Sequence, residues 1–220
     1  QGDPAVLARI EVTEGDRMKV TEVRFEGNNL VLAEDLEDAC QIRQGKRFRD
    51  DMFAEDPLRI RSLYNDEGCL NAKIVDARRE LSEDGSGLVV TYVVEEGPQF
   101  VFDGYTIDFG EDAPELSEDT VRDELDMQPG DVFSATEYRD DVLAVDALYR
   151  NQGYMLVEIR DDLDTNTAAE TVGATLTIHE GNTITVGEIQ LEGLTKTKEH
   201  IVMRELERMG IEPGEPMQVG

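Results

Sequence analysis

The chain repeats itself. Glu14-Gly15, Glu96-Gly97 and Glu180-Gly181 each close an alternating stretch and each precede a similar run of residues, at intervals of 82 and 84. After each Glu-Gly comes a strand pattern, carrying Val23-Arg24-Phe25, Ile107-Asp108-Phe109 or Ile189-Gln190-Leu191, and then an acidic helical stretch. Gly45, Gly130 and Gly214 follow, each three residues ahead of Phe48, Phe133 or Met217. Phe48 to Tyr64 and Phe133 to Tyr149 both span 16 residues, and each tyrosine stands four before a glycine. A chain with that period folds as a row of similar units with small separate cores, and such arrays usually bind rather than catalyse.

Within one period the hydrophobic spacing reads as strand, helix, helix, strand, strand. In the first full unit a strand from Lys19 to Glu26 ends at the turn Gly27-Asn28-Asn29. Leu32, Leu36, Ala39 and Cys40 recur at helical spacing, and Phe53, Ile60 and Tyr64 line a second helix from about Asp50. Pro57 falls inside that stripe and is expected to kink the helix or mark its true start. Leu70, Ala72 and Ile74 alternate as a strand, and Glu83 to Gly87 is a hairpin turn. Leu88 to Val94 is apolar on both faces, which places it in the middle of its sheet. The second unit follows suit, with Ser117 as a helix N-cap, Tyr138, Val142, Val145 and Tyr149 on one helical face, and Val172, Ala174, Leu176 and Ile178 on the last strand. The expected class is α+β, each repeat a three-stranded mixed sheet packed on two helices.

Units of about 80 residues can just support a core. No apolar run approaches the roughly 20 residues of a membrane-spanning helix, and no signal peptide stands at the start. The net charge of −29 argues against nucleic acid or anionic lipid and leaves basic partners open; an acidic surface also suits a salty habitat. Cys40 lies on a helical apolar stripe and Cys69 takes the place of Tyr154, so both read as small core residues, a disulfide being the less favoured alternative.

Catalytic constellations are missing from the sequence: there is no phosphate loop, His-Glu-x-x-His, Cys-x-x-Cys or Gly-x-Ser-x-Gly. His179 and His200 stand alone. Asp162, Asp164 and Asn166 start like a calcium loop, but Thr167 replaces its glycine and Gly173 its bidentate glutamate, so a polar hairpin is the better reading. The expectation is a non-enzymatic protein with no cofactor and no metal.

Taken in order, Phe25-Glu26-Gly27-Asn28, Gly45-Lys46-Arg47-Phe48, Leu63 to Gly68 and Tyr92 to Pro98 resemble the POTRA (polypeptide-transport-associated) domains of BamA-like outer-membrane β-barrel assembly factors. The second unit adds Gly130 to Phe133, Leu148 to Tyr154 and His179 to Gly181, and the third adds Leu191 to Thr197 and Gly214 to Met217. Phe109-Gly110-Glu111 departs from the usual Gly-Asn turn. The resemblance implies tandem POTRA units: the closing strand of a preceding unit over 1–17, whole domains over 18–99 and 100–183, and the opening of a further one over 184–220. It also implies a periplasmic scaffold at the outer membrane, in front of a C-terminal β-barrel in the parent protein, whose strand pattern is not found after residue 181. Its partners would be unfolded outer-membrane proteins and accessory assembly subunits. The alternatives are the POTRA region of a two-partner secretion or related translocation barrel, and a purely structural spacer.

If the last strand of each unit is central, the strand after Gly68 or Gly153 lies at an edge with unpaired N–H and C=O groups. An extended client can add to such an edge through sequence-independent hydrogen bonds. The candidate client-binding positions are Leu70, Ala72 and Ile74 in the first unit and Met155, Val157 and Ile159 in the second, with Asn71, Lys73, Glu158 and Arg160 facing solvent. Gly97, Pro98, Gly181 and Asn182 are the expected inter-domain hinges. Self-association through the incomplete ends is a further expectation.

Overall fold

The computed structural model describes residues 18–110, 113–194, 196 and 198–215. The expected closing strand within 1–17 lies outside these residues. Two sheets organise the chain. The first is built from β1 (Val20–Glu26), β2 (Lys73–Leu81) and β3 (Leu88–Glu95), with α1 (Ala33–Ala39) and α2 (Asp50–Asp66) between β1 and β2. The second uses β4 (Val101–Asp108), β5 (Glu158–Asn166) and β6 (Thr171–His179), with α3 (Glu118–Arg122) and α4 (Ala135–Asn151) between β4 and β5. A last helix, α5, spans Glu199–Arg208. The strand orders are β1-β3-β2 and β4-β6-β5, with the central strand parallel to the opening strand and antiparallel to the other. By compactness, among the described residues 18–61 with 73–95 form one unit, and 62–72 with those from 96 to 215 form the other.

Each central strand lies where its hydrophobicity put it. β6 alternates strictly, with Val172, Ala174, Leu176 and Ile178 buried. β3 buries Val90, Tyr92 and Val94 on its helix side, but Val89 and Val93 are only half-buried. That second face is not packed on a layer: Arg78 reaches over β3 from β2 to Glu26 on β1 at 2.7 Å and also pairs with Asp76 at 3.0 Å. The arginine's methylenes and paired head group take the place of an apolar cover.

Several local expectations shift. Pro57 neither starts nor ends a helix, for α2 runs unbroken from Asp50 to Asp66 around it. Ser117 caps α3 as expected, its hydroxyl accepting the Thr120 N–H at 3.2 Å. Register corrects the repeat alignment: Phe25 pairs with Tyr92 and Ile107 with Leu176, so the counterpart of Val23-Arg24-Phe25 is Tyr105-Thr106-Ile107, two residues before the triplet expected. A two-residue slip keeps every side chain on its face, so alternation alone cannot reveal it.

The glycine loops show how the repeats begin. Val20 donates its N–H to the Lys46 carbonyl and accepts from the Gly45 N–H; Phe102 does the same with Asp131 and Gly130, and Val186 with Glu215 and Gly214, all at 2.7–2.8 Å. The same pair of hydrogen bonds thus recurs at Val186. The strand expected there does not form over 186–194. In the complete sheets the opening strand pairs with a later strand, and none follows α5 among the described residues.

Candidate functional site

Each sheet has two edges, and they differ. Along β1, the residues around Val20 are occupied by the Gly45 loop, with a bridge between Lys19 and Arg47. Along β4, Phe102 is bonded to the Gly130 loop, Val101 is bridged to Val132, and Arg122 donates to the Tyr105 carbonyl at 3.2 Å. Among the described residues, β2 and β5 have backbone hydrogen bonds only to their own central strands and hairpins. These edges are uninterrupted by other backbone over their whole length, whereas β1 and β4 are covered at their opening residues.

The candidate positions do not all lie on those strands. Ile74 belongs to β2 and Ile159 to β5, both half-buried. Leu70, Ala72, Met155 and Val157 precede them, because the chain makes a turn after each helix: the Ala72 N–H bonds to the Cys69 carbonyl at 3.0 Å and the Val157 N–H to the Tyr154 carbonyl at 3.2 Å. Ala72 and Val157 are buried, and Leu70 packs against the cluster around Phe100, Phe102 and Phe133. Leu70, Ala72 and Val157 are packing residues, Met155 is half-buried with its carbonyl accepting from Arg150 at 3.1 Å, and the edges begin three residues later than the alternation indicated. Asn71, Lys73, Glu158 and Arg160 are exposed as expected. Gly97 and Gly181, each after a glutamate at the end of a central strand, have φ of +72° and +69° and are followed by Pro98 and Asn182.

Sequence reasoning missed the polar groups that fasten helix to sheet. Asp56 on α2 is fully buried; one carboxylate oxygen accepts the Gln41 N–H at 2.7 Å, the other the Ile42 N–H at 3.0 Å and the Tyr92 hydroxyl at 2.9 Å. Asp141 on α4 repeats this with the N–H groups of Asp126 and Met127 at 2.8 and 3.1 Å and the Tyr105 hydroxyl at 2.7 Å. Burial, and then the facing aspartate, push both phenols well above the ordinary tyrosine range. The signal was available: Phe53 and Tyr138 each precede an aspartate by three, at matching places in the repeat.

The Glu-Gly landmark has a similar explanation. The Tyr64 hydroxyl, near the end of α2, donates to Glu96 at 3.0 Å. Glu180 accepts the N–H groups of Glu115 and Leu116 at 2.9 and 3.2 Å, bracing the loop that enters α3. At β5 the Tyr138 hydroxyl donates to Asp161 at 2.8 Å, tying the open edge to α4. At β2, Arg79 pairs with Asp50 at the start of α2 and lies over the Phe48 ring, 5.0 Å from its centroid.

Cys40 and Cys69 are free and buried. Among the described residues no group of three metal-ligating side chains converges, and no helix is long and apolar enough to cross a membrane. Asn166 accepts the N–H groups of Ala168 and Ala169, closing the β5–β6 turn as a polar hairpin.

A family model described as POTRA, surface antigen variable number repeat, matches residues 18–97 and 107–181. The outer membrane protein assembly factor BamA of Neisseria meningitidis serogroup B is 26% identical over 213 residues, covering 93% of this chain and 26% of that protein. The protein of the same name from Nitratidesulfovibrio vulgaris is 21% identical over 220 residues, covering 94% of this chain and 27% of that protein. The chain thus spans about a quarter of the length of these curated relatives. Among solved structures, the POTRA3-5 segment of Haemophilus influenzae BamA matches with a TM-score of 0.61 at 20% identity, over 92% of this chain and 81% of that one. BamA from Haemophilus ducreyi lacking POTRA domains 1-3 matches with a TM-score of 0.55 at 19% identity, over 77% of this chain and 30% of that one. These two likenesses are of fold.

Proposed function

Since the chain belongs to the POTRA family, whose model covers residues 18–97 and 107–181, we propose that it is a periplasmic docking segment of an outer-membrane protein assembly factor. It holds extended, unfolded β-barrel clients by strand addition and presents them, with accessory subunits, to a C-terminal β-barrel of the full protein. On this reading 18–99 and 100–183 are two whole units, 1–17 closes an earlier one and 184–220 opens a later one. The curated relatives named as BamA support the setting. The observation that carries the mechanism is the pair of open edges, β2 and β5, each on the strand away from the glycine loop.

Strand addition uses backbone groups, so it accepts many sequences and needs no catalytic side chain. Proline tests it. Successive N–H groups along a strand point to opposite sides, so of Asp162→Pro and Leu163→Pro one removes an outward N–H and the other a ladder bond to β6. A fluorescent nine-residue peptide alternating apolar and polar residues is titrated against the native protein and both variants. The variant that keeps its native fold by circular dichroism is expected to lose binding at β5. Undiminished binding in that variant, or no binding to the native protein at any salt concentration, would leave the array as a spacer.

A further inference from the structure

We propose that β5, and not β2, is the working edge, and that it selects an extended strand whose residues alternate between basic and apolar. The inference rests on the edge-capture reading above and adds which edge acts and what it takes.

β2 is blunted. Its pairing with β3 slips between Ile74 and Asp76, leaving Val75 as a bulge that bends the strand and disrupts the template an incoming chain would follow. Its arginines are already engaged, Arg78 with Glu26 and Asp76, and Arg79 with Asp50 and the Phe48 ring. β5 has no such break: it pairs with β6 residue for residue from Glu158 opposite His179 to Asn166 opposite Thr171.

The side chains along β5 fall into two rows. Ile159, Asp161 and Leu163 lie on the helix side, opposite the buried Ile178, Leu176 and Ala174. Asp161 is occupied by Tyr138, while Ile159 is half-buried and Leu163 is 38% exposed, which leaves apolar surface beside the edge. The other row is Glu158, Arg160, Asp162 and Asp164 on the open face. Arg160 leans to Glu158 at 3.4 Å, whereas Asp162 and Asp164 have no ion pair among the described residues. A strand added to β5 places every second side chain about 5 Å from this acidic row and the others beside Ile159 and Leu163. Lysine or arginine gains there and aspartate or glutamate is repelled. The same row sets like charges against each other when two copies meet edge to edge, so one feature both guards the edge and selects its client.

The test compares three nine-residue peptides on the native protein: valine alternating with lysine, valine alternating with glutamate, and the lysine composition with its lysines grouped at one end. The alternating lysine peptide is expected to bind about tenfold more tightly than either other, from a few cross-strand charge pairs of ordinary size. It should shift backbone amide resonances of β5 and leave those of β2 in place. The double variant Asp162→Lys with Asp164→Lys should turn the preference toward the glutamate peptide. Equal binding of the alternating and grouped lysine peptides, both abolished by 0.5 M salt, would reduce the effect to general attraction to an acidic protein and overturn the proposal. Equal binding of the alternating lysine and glutamate peptides, both blocked by the folded proline variant, would overturn the charge selection and leave edge capture standing. Amide shifts confined to β2 would overturn the choice of edge.

Discussion

Asp56 receives the hydroxyl of Tyr92 at 2.9 Å on the same carboxylate oxygen that holds the Ile42 N–H. One buried side chain thereby joins a helix, the loop after α1 and the central strand. The array spends charged residues inside small cores because each of them satisfies several backbone donors at once.

Removing that carboxylate strands three donors, the Ile42 N–H and the Tyr92 hydroxyl buried and the Gln41 N–H partly so. Asp56→Ala and Asp141→Ala should each destabilise their unit by about 3 kcal/mol, read as a lower urea midpoint with unchanged m-value. Tyr92→Phe should cost less, about 1 kcal/mol, because the two N–H groups keep their acceptor.

Asp66, in the last turn of α2, accepts the Thr136 N–H at the start of α4 at 2.8 Å, beside Ser134, whose hydroxyl accepts the Glu137 N–H at 3.2 Å. A carboxylate there satisfies an orphan donor and opposes the helix dipole. Asp66→Ala should cost about 1 kcal/mol, and Asp66→Asn less. Amide exchange in the first turn of α4 should accelerate in the alanine variant, which checks the cap directly.

Gly68 stands at φ +75°, and a Cβ there would meet the Phe100 carbonyl oxygen at 2.8 Å. Its own carbonyl accepts the Phe100 N–H at 2.9 Å. Gly68→Ala combines left-handed strain with a backbone clash and should cost about 2 kcal/mol or more. Gly85→Ala, at φ +67° with no atom near its would-be Cβ, isolates the strain alone and should be milder. Thermal melts of the two variants separate the contributions.

Burial pushes the Cys40 thiol from 9.0 up to about 12, and the nearby Asp56 pushes it the same way. Below pH 9 folded and unfolded chains both keep that proton. Between 9 and 12 the unfolded chain has lost it and the folded one retains it, so this contribution to stability falls as pH rises through that window. Cys40→Ala should flatten the alkaline slope of the stability curve. Thiol reagents at pH 8 should leave both cysteines unlabelled in the native protein and modify them at the rate of unfolding.

The repeat made the architecture legible. Alternation in Val172 to Ile178 and the double-sided apolarity of Leu88 to Val94 placed the central strands, and from these the edge strands followed. The starts of the edges were not legible, because Leu70-x-Ala72 and Met155-x-Val157 alternate through a turn as well as a strand would. Leu70 and Val157 pack into core clusters, and periodicity cannot separate that burial from the burial of a strand face. Asp56 and Asp141 escaped notice because a hydrophobic stripe is sought among apolar residues, and their burial depends on loop N–H groups far away in sequence.

The loop at Gly130, bonded to both backbone groups of Phe102, and the Arg122 side chain on the Tyr105 carbonyl interrupt the outer edge of β4, whereas β5 is uninterrupted among the described residues. A sheet open on two sides can pass strands along indefinitely, copy after copy, into a fibre. With one side interrupted, the clear side takes one strand and does not hand the pattern on, and two such sheets meeting by their clear sides close as a pair. Saturation after one occupant is what separates a reversible holder of extended chains from a seed for their aggregation.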